Sequence, residues 1–358
     1  MIPVAKSLEL CCQAAVEYRA SDLILRCDEP PMLRISGSVT FIEMPPIQRE
    51  DIASLRTACG VPESALDYDA SFVSSEGLRF RVNFHMHLGR ESAVLRLIKT
   101  SILDLEELGA PSELLQDWAQ RRSGIIIVSG PTGSGKSTTL SSILEWVNHH
   151  LERHIVTIED PVEFVFTGDK SYFTQRAVGL DTPSFAEGLR RSLRQAPDMI
   201  LVGEIRDVET AEVALQAAET GHLVLTTLHA SDACEVIERM TAFFPEELKQ
   251  GYLQVLSSQL LGVLCQKLLP STLGGSVLAC EYFSNVGIMR RLVKEADLHG
   301  LSDQIAISSK QEGLAFLKSL YHLVIAGKIS EDQALLASSR PSDLRRMLMG
   351  VSSATTSD

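Results

Sequence analysis

Residues 123–140, SGIIIVSGPTGSGKSTTL, decide the fold of the larger part of this chain. They begin with an apolar, β-branched run at 125–128, which predicts a buried strand. A glycine-rich turn follows, and Lys136 and Ser137 close this turn and open a predicted helix. The pattern G-x-x-x-x-G-K-[ST], placed between a strand and a helix, predicts a phosphate-binding loop.

The residue types of this loop suit a triphosphate. Glycines let backbone N–H groups approach the phosphates closely, and they adopt backbone angles that other residues avoid. These N–H groups and the positive end of the helix dipole face the negative charge. We expect Lys136 to reach the β- and γ-phosphates of ATP, and the Ser137 hydroxyl to bind Mg²⁺. The predicted nucleotide-binding residues are Gly130, Pro131, Thr132, Gly133, Ser134, Gly135, Lys136, Ser137 and Thr138.

The composition of the chain narrows the classes of protein to which it can belong. It has 358 residues and a net charge of −13, from 33 basic and 46 acidic residues. This charge argues against broad nucleic-acid binding, which needs a basic face. Seven cysteines without a C-x-x-C pair argue against a zinc module and favour a reducing cytoplasm. We predict neither a signal peptide nor a transmembrane helix, so any membrane role would come through partners.

The arrangement of apolar and polar residues predicts an α+β domain in residues 1–99, a linker at 100–111 and an α/β domain in residues 112–358. In the first domain we predict a helix over 7–18 capped by Ser7, a helix over 49–59, and antiparallel strands near 23–25, 32–35 and within 69–98. In the second we predict strands at 124–129, 155–158, 199–202 and 223–227, and helices near 136–148, 183–195, 207–219 and 232–240. This alternation indicates a parallel sheet covered by helices. We expect the remainder to be mostly helical, over residues 246–268, 287–296, 311–326, 330–337 and 341–349.

An acidic segment follows the second of these strands, at the edge where parallel sheets bind ligands. Residues 157–164, TIEDPVEF, carry Glu159, Asp160 and Glu163. Beside Mg²⁺, one such carboxylate can orient or deprotonate an attacking water, and another can hold the waters of the metal. A solvated acidic loop is the alternative interpretation.

The next two strands also end in polar residues. Residues 198–207, DMILVGEIRD, deliver Glu204, whose long side chain could reach Mg²⁺ through a water. We interpret Asp207 as a helix cap. In residues 220–229, TGHLVLTTLH, His222 and His229 bracket an apolar strand. An imidazole beside a γ-phosphate could report whether ATP or ADP is bound, and a hydrogen-bonded core histidine is the alternative.

Arginines in the first domain could complete such a site. The guanidinium group is suited to stabilising charge on a transferring phosphoryl group. Arg79 and Arg81 alternate along one predicted strand and share a face, and an ordinary polar face is the alternative. The candidates are Arg79, Arg81, Arg90 and Arg96.

In this order, the motifs resemble those of the PilT/PilU group of secretion ATPases, the type IV pilus retraction motors. The resemblance covers residues from about 20 to about 348. ASDL…PPMLRISG and RFRVN resemble the first, PAS-like domain of that family. GPTGSGKSTT resembles the Walker A motif of the family, and TIEDPVEF its Asp box. The block QRAVGLDTPSFAEGLRRSLRQAPDMILVGEIRD resembles its Walker B motif, and TGHLVLTTLHA its His box.

The resemblance implies a RecA-like ATPase domain that uses ATP and Mg²⁺. It implies a cytoplasmic homo-hexamer, peripheral to the inner membrane, that acts with an inner-membrane pilus platform protein and with a paralogous retraction ATPase as a further partner. Glu163 is similar to the water-activating carboxylate of the family and Glu204 to its metal-site glutamate. His229 resembles the γ-phosphate sensor, and His222 its His-box companion. Arg81 and Arg96 resemble the arginines of the family that reach the nucleotide from the N-terminal domain.

Two stretches depart from the retraction pattern. Residues 288–295, IMRRLVKE, resemble the AIRNLIRE motif that retraction needs, with changes at several positions. The C-terminal residues after 329 are more similar to PilU, whose role is accessory. The alternatives are therefore a weakly hydrolysing accessory subunit and an assembly or type II secretion ATPase. The missing tetracysteine zinc motif argues against the latter.

Overall fold

The structure is a computed structural model that describes residues 4–35, 38–62, 64–98 and 102–350. Its residues group into two compact units. The first consists of Met1–Ser101 and Glu163–Val165, and the second of Ile102–Val162 and Phe166–Asp358. Glu163 thus belongs to the first unit, although the sequence analysis assigned it to the second domain.

An antiparallel sheet of six strands forms the first unit, with strand order β3-β2-β1-β6-β5-β4. Along β5, Phe80, Val82 and Phe84 are fully buried and alternate with more exposed residues, as expected of a strand with one face on the core. The elements are α1 (Lys6–Glu17), β1 (Asp22–Arg26), β2 (Met32–Ile35), β3 (Ser38–Phe41), α2 (Arg49–Ala58), β4 (Tyr68–Val73), β5 (Arg79–His87) and β6 (Arg90–Leu97).

The predicted cap of the first helix is wrong. Helix α1 begins at Lys6, and Ala5 occupies the N-cap without a side-chain hydrogen bond. The Ser7 hydroxyl instead donates to Asp51 Oδ1 at 2.7 Å and thereby links α1 to α2.

A mixed sheet of eight strands forms the centre of the second unit, with strand order β14-β13-β12-β7-β11-β10-β8-β9. The six strands from β12 to β9 are parallel, and β13 and β14 add antiparallel pairs at one edge. A 3₁₀ helix at Leu105–Leu108 precedes α3 (Ser112–Gln120). The elements that follow are β7 (Gly124–Ser129), α4 (Lys136–His150), β8 (His154–Glu159), β9 (Tyr172–Ala177), α5 (Phe185–Ser192), β10 (Met199–Val202), α6 (Val208–Glu219), β11 (Leu223–Leu228), α7 (Ala233–Ala242), α8 (Glu246–Gln259), β12 (Leu260–Pro270), β13 (Ser276–Ser284), α9 (Gly287–Glu295), α10 (Leu298–Ile307), β14 (Gly313–Leu314), α11 (Phe316–Ile325), α12 (Glu331–Ala337) and α13 (Pro341–Leu348).

Strand β7 lies in the middle of this sheet and positions the glycine-rich loop. All six of its residues are buried, because it pairs in parallel with β11 on one side and β12 on the other. Such a strand is covered on both faces and is therefore apolar throughout its length. The loop begins at its carboxyl end.

The predicted helix over 246–268 is wrong beyond Gln259, because residues 260–270 form strand β12. The run LLGVLCQKLLP is apolar without a clear period, which does not separate a buried helix from a buried strand. Pairing with β7 and β13 decides the outcome. The predicted helix over 311–326 begins only at Phe316. The elements that the sequence analysis omitted are β3, β9, β13, β14, α3 and α10.

Candidate functional site

The predicted phosphate-binding loop lies between β7 and α4, as the motif requires. Gly130 has φ +148, and a Cβ there would lie 2.4 Å from the Gln266 carbonyl oxygen and 2.5 Å from Ser134 Oγ. Gly135, the N-cap of α4, has φ +91. Both positions therefore favour glycine, and without a side chain there a ligand can approach the loop backbone closely.

Lys136 and the start of α4 give the loop its positive charge. The Lys136 ammonium donates to Gly130 O at 2.9 Å and to Pro131 O at 3.1 Å, which holds it over the turn. The first turn of α4 contains no acidic residue, so nothing there opposes binding of an anion to the helix N-terminus. Ser137 and Thr138 are partly exposed in the same turn, and Ser137 supplies a hydroxyl oxygen of the kind that Mg²⁺ binds.

Strand β12 forms a wall of this loop that the sequence analysis missed. The carbonyl of Gln266 packs against Gly130, and its side-chain amide donates to Thr139 Oγ1 at 2.7 Å. Both side chains are buried. They join β12 to the first turns of α4. The sequence analysis did not identify Gln266, because residues 246–268 were predicted to form a helix.

Glu204 and His229 meet at the carboxyl edge of the sheet. They follow the neighbouring strands β10 and β11, and Glu204 Oε1 lies 3.2 Å from His229 Nε2. The segment after β10 is joined to the end of β11 by a hydrogen bond from Ile205 N to Thr227 O at 3.2 Å and by one from Thr227 Oγ1 to Gly203 O at 2.6 Å.

Ser129, the last residue of β7, ties the His229 segment to the glycine-rich loop. Its hydroxyl lies 3.0 Å from Leu228 O and 2.9 Å from Ala230 O, and it accepts the Ala230 N–H at 2.9 Å. Since Gly130 follows Ser129 directly, His229 and Glu204 share one edge of the sheet with the loop. This is the group of predicted site residues that the structure brings together.

Two further residues at this edge are charged. Arg206, which the sequence analysis did not single out, donates from Nε to Glu204 Oε2 at 2.9 Å, and its Nη1 lies 3.4 Å from Asp160 Oδ2. Asp207 accepts the Thr210 N–H at 2.7 Å and caps α6, which confirms its predicted role.

A half-buried carboxylate fixes the helix that follows the His229 segment. Glu281 Oε1 accepts the Ala233 N–H at 2.9 Å at the start of α7, and Oε2 accepts the Phe316 N–H at 3.2 Å at the start of α11. Burial raises the pKa of the Glu281 carboxyl above its ordinary value, although the two N–H groups favour the charged form.

His222 lies at the opposite edge of the sheet. It precedes β11, its carbonyl accepts the Gly124 N–H at 3.2 Å, and its Nδ1 lies 3.0 Å from Ala217 O. Gly124 is the first residue of β7, whereas the glycine-rich loop follows the last. Within this unit, His222 is therefore not part of the group around the loop.

Glu163, Arg81 and Arg96 belong to the first unit. Arg81 and Arg96 lie opposite each other on β5 and β6. Arg96 Nε lies 2.8 Å from Asp22 Oδ1, and Arg81 Nη2 lies 3.9 Å from Asp69 Oδ1. Both arginine side chains are exposed, that of Arg96 at 66% and that of Arg81 at 42%. They form a polar face of the sheet with its own carboxylate partners.

The residues around the loop fit a magnesium nucleotide. The close approach at Gly130, the Lys136 ammonium and the start of α4 suit phosphates. The hydroxyl of Ser137 and the carboxylate of Glu204 are oxygen donors, which Mg²⁺ prefers. Among the residues that the structure describes, no helix combines the length and the apolar character needed to cross a bilayer.

Three comparisons bear on this site. The chain is 39% identical over 322 residues to the type IV pilus retraction ATPase PilT of Pseudomonas aeruginosa, a match that covers 88% of this chain and 93% of that protein. It is 35% identical over 340 residues to the type IV pilus ATPase PilU of the same organism, with 93% and 89% covered. The crystal structure of the pilus retraction motor PilT with bound ADP matches with a TM-score of 0.88 and 38% identity, covering 95% of this chain and 99% of that one.

A sequence profile of the family described as Type II/IV secretion system protein matches residues 65–294. This match spans more than half of the chain and includes the glycine-rich loop, Glu204 and His229. The mixed α/β fold agrees with that of the solved relative. The chain therefore belongs to the Type II/IV secretion system protein family, and within it is similar to the PilT and PilU ATPases.

Proposed function

We propose that this chain is an ATP-hydrolysing motor that powers type IV pilus retraction and thereby twitching motility. The observation that carries the proposal is the meeting of the glycine-rich loop, Glu204 and His229 at one sheet edge. The similarity of the chain, over most of its length, to a pilus retraction ATPase supports the same proposal.

Separate residues of the chain bind the phosphates, the metal ion and the attacking water during ATP hydrolysis. The loop backbone binds the phosphates, and Lys136 balances the negative charge of the β- and γ-phosphates. Ser137 and Glu204 would hold Mg²⁺, Glu204 through a water, and the metal would supply charge stabilisation to the transferring phosphoryl group. Glu163 orients a water for in-line attack on the γ-phosphate and takes its proton.

The other predicted residues respond to the charge of the nucleotide. His229, which lies 3.2 Å from Glu204 Oε1, senses the γ-phosphate and links its loss to the carboxylate. Arg81 and Arg96 stabilise the transferring charge from the N-terminal domain. The placement of His222 beside Gly124 does not support a nucleotide contact within its own unit, so its role at a nucleotide stays a prediction.

The same resemblance supports the larger assembly. We propose a cytoplasmic homo-hexamer at the inner membrane that engages the pilus platform protein and works beside a paralogous retraction ATPase. The parallel sheet with α4 after β7 supports a RecA-like ATPase domain, and the antiparallel sheet with α1 and α2 supports a PAS-like N-terminal domain.

A second candidate function is that of an accessory subunit that hydrolyses little ATP. It is favoured by the segment 288–295, which departs from AIRNLIRE yet forms most of helix α9, and by the similarity to PilU. ATP turnover by the purified protein, alone and with the paralogous ATPase, decides between the two. A motor hydrolyses ATP alone, whereas an accessory subunit changes only the rate of its partner.

Three variants test the proposed chemistry. Lys136→Ala should lose binding of a fluorescent ATP analogue, whereas Glu163→Gln should retain binding and lose turnover. Glu204→Gln should lose turnover and the part of the affinity that depends on Mg²⁺. Near-normal turnover in any of them refutes the role assigned to that residue. In cells, deletion of the gene should leave excess unretracted pili, and loss of surface pili would instead indicate an assembly motor.

A further inference from the structure

Arg206 has no role in the mechanism above, yet it lies between two carboxylates at the edge that carries the site. Asp160 follows β8 and Glu204 follows β10, and these strands are neighbours in the sheet. Arg206 contacts Glu204 through Nε and Asp160 through Nη1. One guanidinium group thus joins the ends of two adjacent strands.

We propose that Arg206 is a positioning residue that fixes the carboxylate of Glu204 for its work at the magnesium nucleotide. The inference rests on the proposed function, in which Glu204 contributes to the Mg²⁺ site. Arg206 acts through Glu204 and touches neither the nucleotide nor the metal.

The geometry around Glu204 supports this role. Its two oxygens have different partners, since Oε2 accepts from Arg206 at 2.9 Å and Oε1 lies 3.2 Å from His229 Nε2. A carboxylate held at both oxygens has a fixed plane, and hydrogen bonds of this kind orient metal-site ligands. The guanidinium also lies over the Phe185 ring, 5.8 Å from its centre, which restrains its own orientation.

Charge supports the same role. Without Arg206, Asp160 and Glu204 would bring two negative charges to adjacent strand ends, and like charges disfavour each other. The Arg206 side chain is 55% exposed and that of Asp160 39%. The ion pair between these two side chains is exposed and contributes little to stability. Glu204, 18% exposed, keeps its contact with His229, so variants at position 206 should fold.

Lysine cannot replace Arg206 in this arrangement. The arginine reaches its two partners with two different nitrogens, Nε and Nη1, on one rigid plane. A lysine ammonium is a single point of charge on a flexible stem. Arg206→Lys therefore keeps the charge but loses the bridge, which makes it the informative variant.

The experiment compares Arg206→Lys with wild type in the full chain. Turnover should fall about 10–100-fold, the usual cost of losing a partner that orients a ligand. The affinity for the nucleotide in EDTA should not change, since Arg206 makes no contact with substrate. The second readout is the affinity for a fluorescent, non-hydrolysable ATP analogue with Mg²⁺ relative to that with EDTA. This ratio should fall to the value of Glu204→Gln, and the double variant should equal Glu204→Gln alone.

Arg121→Lys is the matched control. Arg121 pairs with Asp117 at 2.9 Å, its side chain is 57% exposed, and it precedes the amino end of β7, at the edge opposite the loop. Its turnover and its Mg²⁺ dependence should match those of wild type.

Wild-type turnover in Arg206→Lys would overturn the inference, and so would a loss of Mg²⁺ dependence that adds to that of Glu204→Gln. Weaker binding of the analogue in EDTA, or a lower melting temperature than Arg121→Lys, would show a structural role and would also overturn it. Normal turnover in Glu204→Gln would overturn the metal-site assignment and the inference together, whatever Arg206→Lys does.

Discussion

Replacing Ser129 by alanine tests whether the end of β7 positions the His229 segment. Ser129 is fully buried, and its hydroxyl accepts the Ala230 N–H and lies within 3.0 Å of the carbonyls of Leu228 and Ala230. A hydroxyl donates one hydrogen at a time, so the variant loses one donated and one accepted bond. The Ala230 N–H and one carbonyl then remain buried without this partner.

The size of the effect follows from these two bonds. Each contributes roughly 0.5–1.5 kcal/mol, and a buried group left without a partner costs about 1–3 kcal/mol. We expect Ser129→Ala to lower the free energy of unfolding of the second unit by about 2–3 kcal/mol. Turnover should fall about tenfold or more, because the His229 segment is no longer held beside the loop.

Urea unfolding followed by tryptophan fluorescence measures this stability directly. Both tryptophans of the chain, Trp118 and Trp146, lie in the second unit and report its unfolding. Ser192→Ala is the matched control, since Ser192 is equally buried but donates only to Leu189 O, within its own helix, at 2.8 Å. It should lose about 1 kcal/mol and keep wild-type turnover. Equal stability losses in the two variants, or full turnover in Ser129→Ala, would refute the reasoning.

Four further predictions follow from the packing and charge of the chain. Gly262→Ala should destabilise the second unit by about 2–3 kcal/mol in urea, because its Cβ would lie 2.1 Å from the Trp118 ring. Gly251→Ala, in an exposed turn of α8 with open space around it, should instead stabilise it by about 0.5–1 kcal/mol. Because burial raises the pKa of Glu281, the native state binds its proton more tightly than the unfolded state, and wild type should lose stability relative to Glu281→Gln as the pH rises above about 4.5. A difference between the urea midpoints of these two proteins that stays constant from pH 4.5 to about 7.5 would contradict this sign. Burial raises the pKa of all seven cysteines. A thiol reagent at about pH 8 should therefore react slowly with the native protein, whereas all seven thiols should react after unfolding. A rapidly reacting native thiol would contradict the prediction.

The sequence could predict the elements in which local pattern and final environment agree. The strand at 124–129, its loop and helix α4 follow from an apolar run, glycines and a lysine at fixed spacing. The role of Asp207 as a cap was predictable for the same reason, since a cap is a local hydrogen bond. Glu204 and His229 were expected at one edge because parallel strands end together.

The features that sequence could not supply depend on long-range pairing. Strand β12 is apolar without a period, and only its pairing with β7 and β13 makes it a strand. The contact between Gln266 and Thr139 was therefore hidden. Arg206 lies within the motif at residues 198–207, but its partners Glu204 and Asp160 follow two different strands. The sequence does not show that one side chain reaches both carboxylates.

A crystal structure of the protein with a non-hydrolysable ATP analogue and Mg²⁺ tests the central claim most directly. We predict the phosphates against the backbone of residues 130–137, with Lys136 at the β- and γ-phosphates and the metal between Ser137 and Glu204. Analogue bound elsewhere with this loop unliganded, or phosphates out of reach of Lys136, would contradict the account.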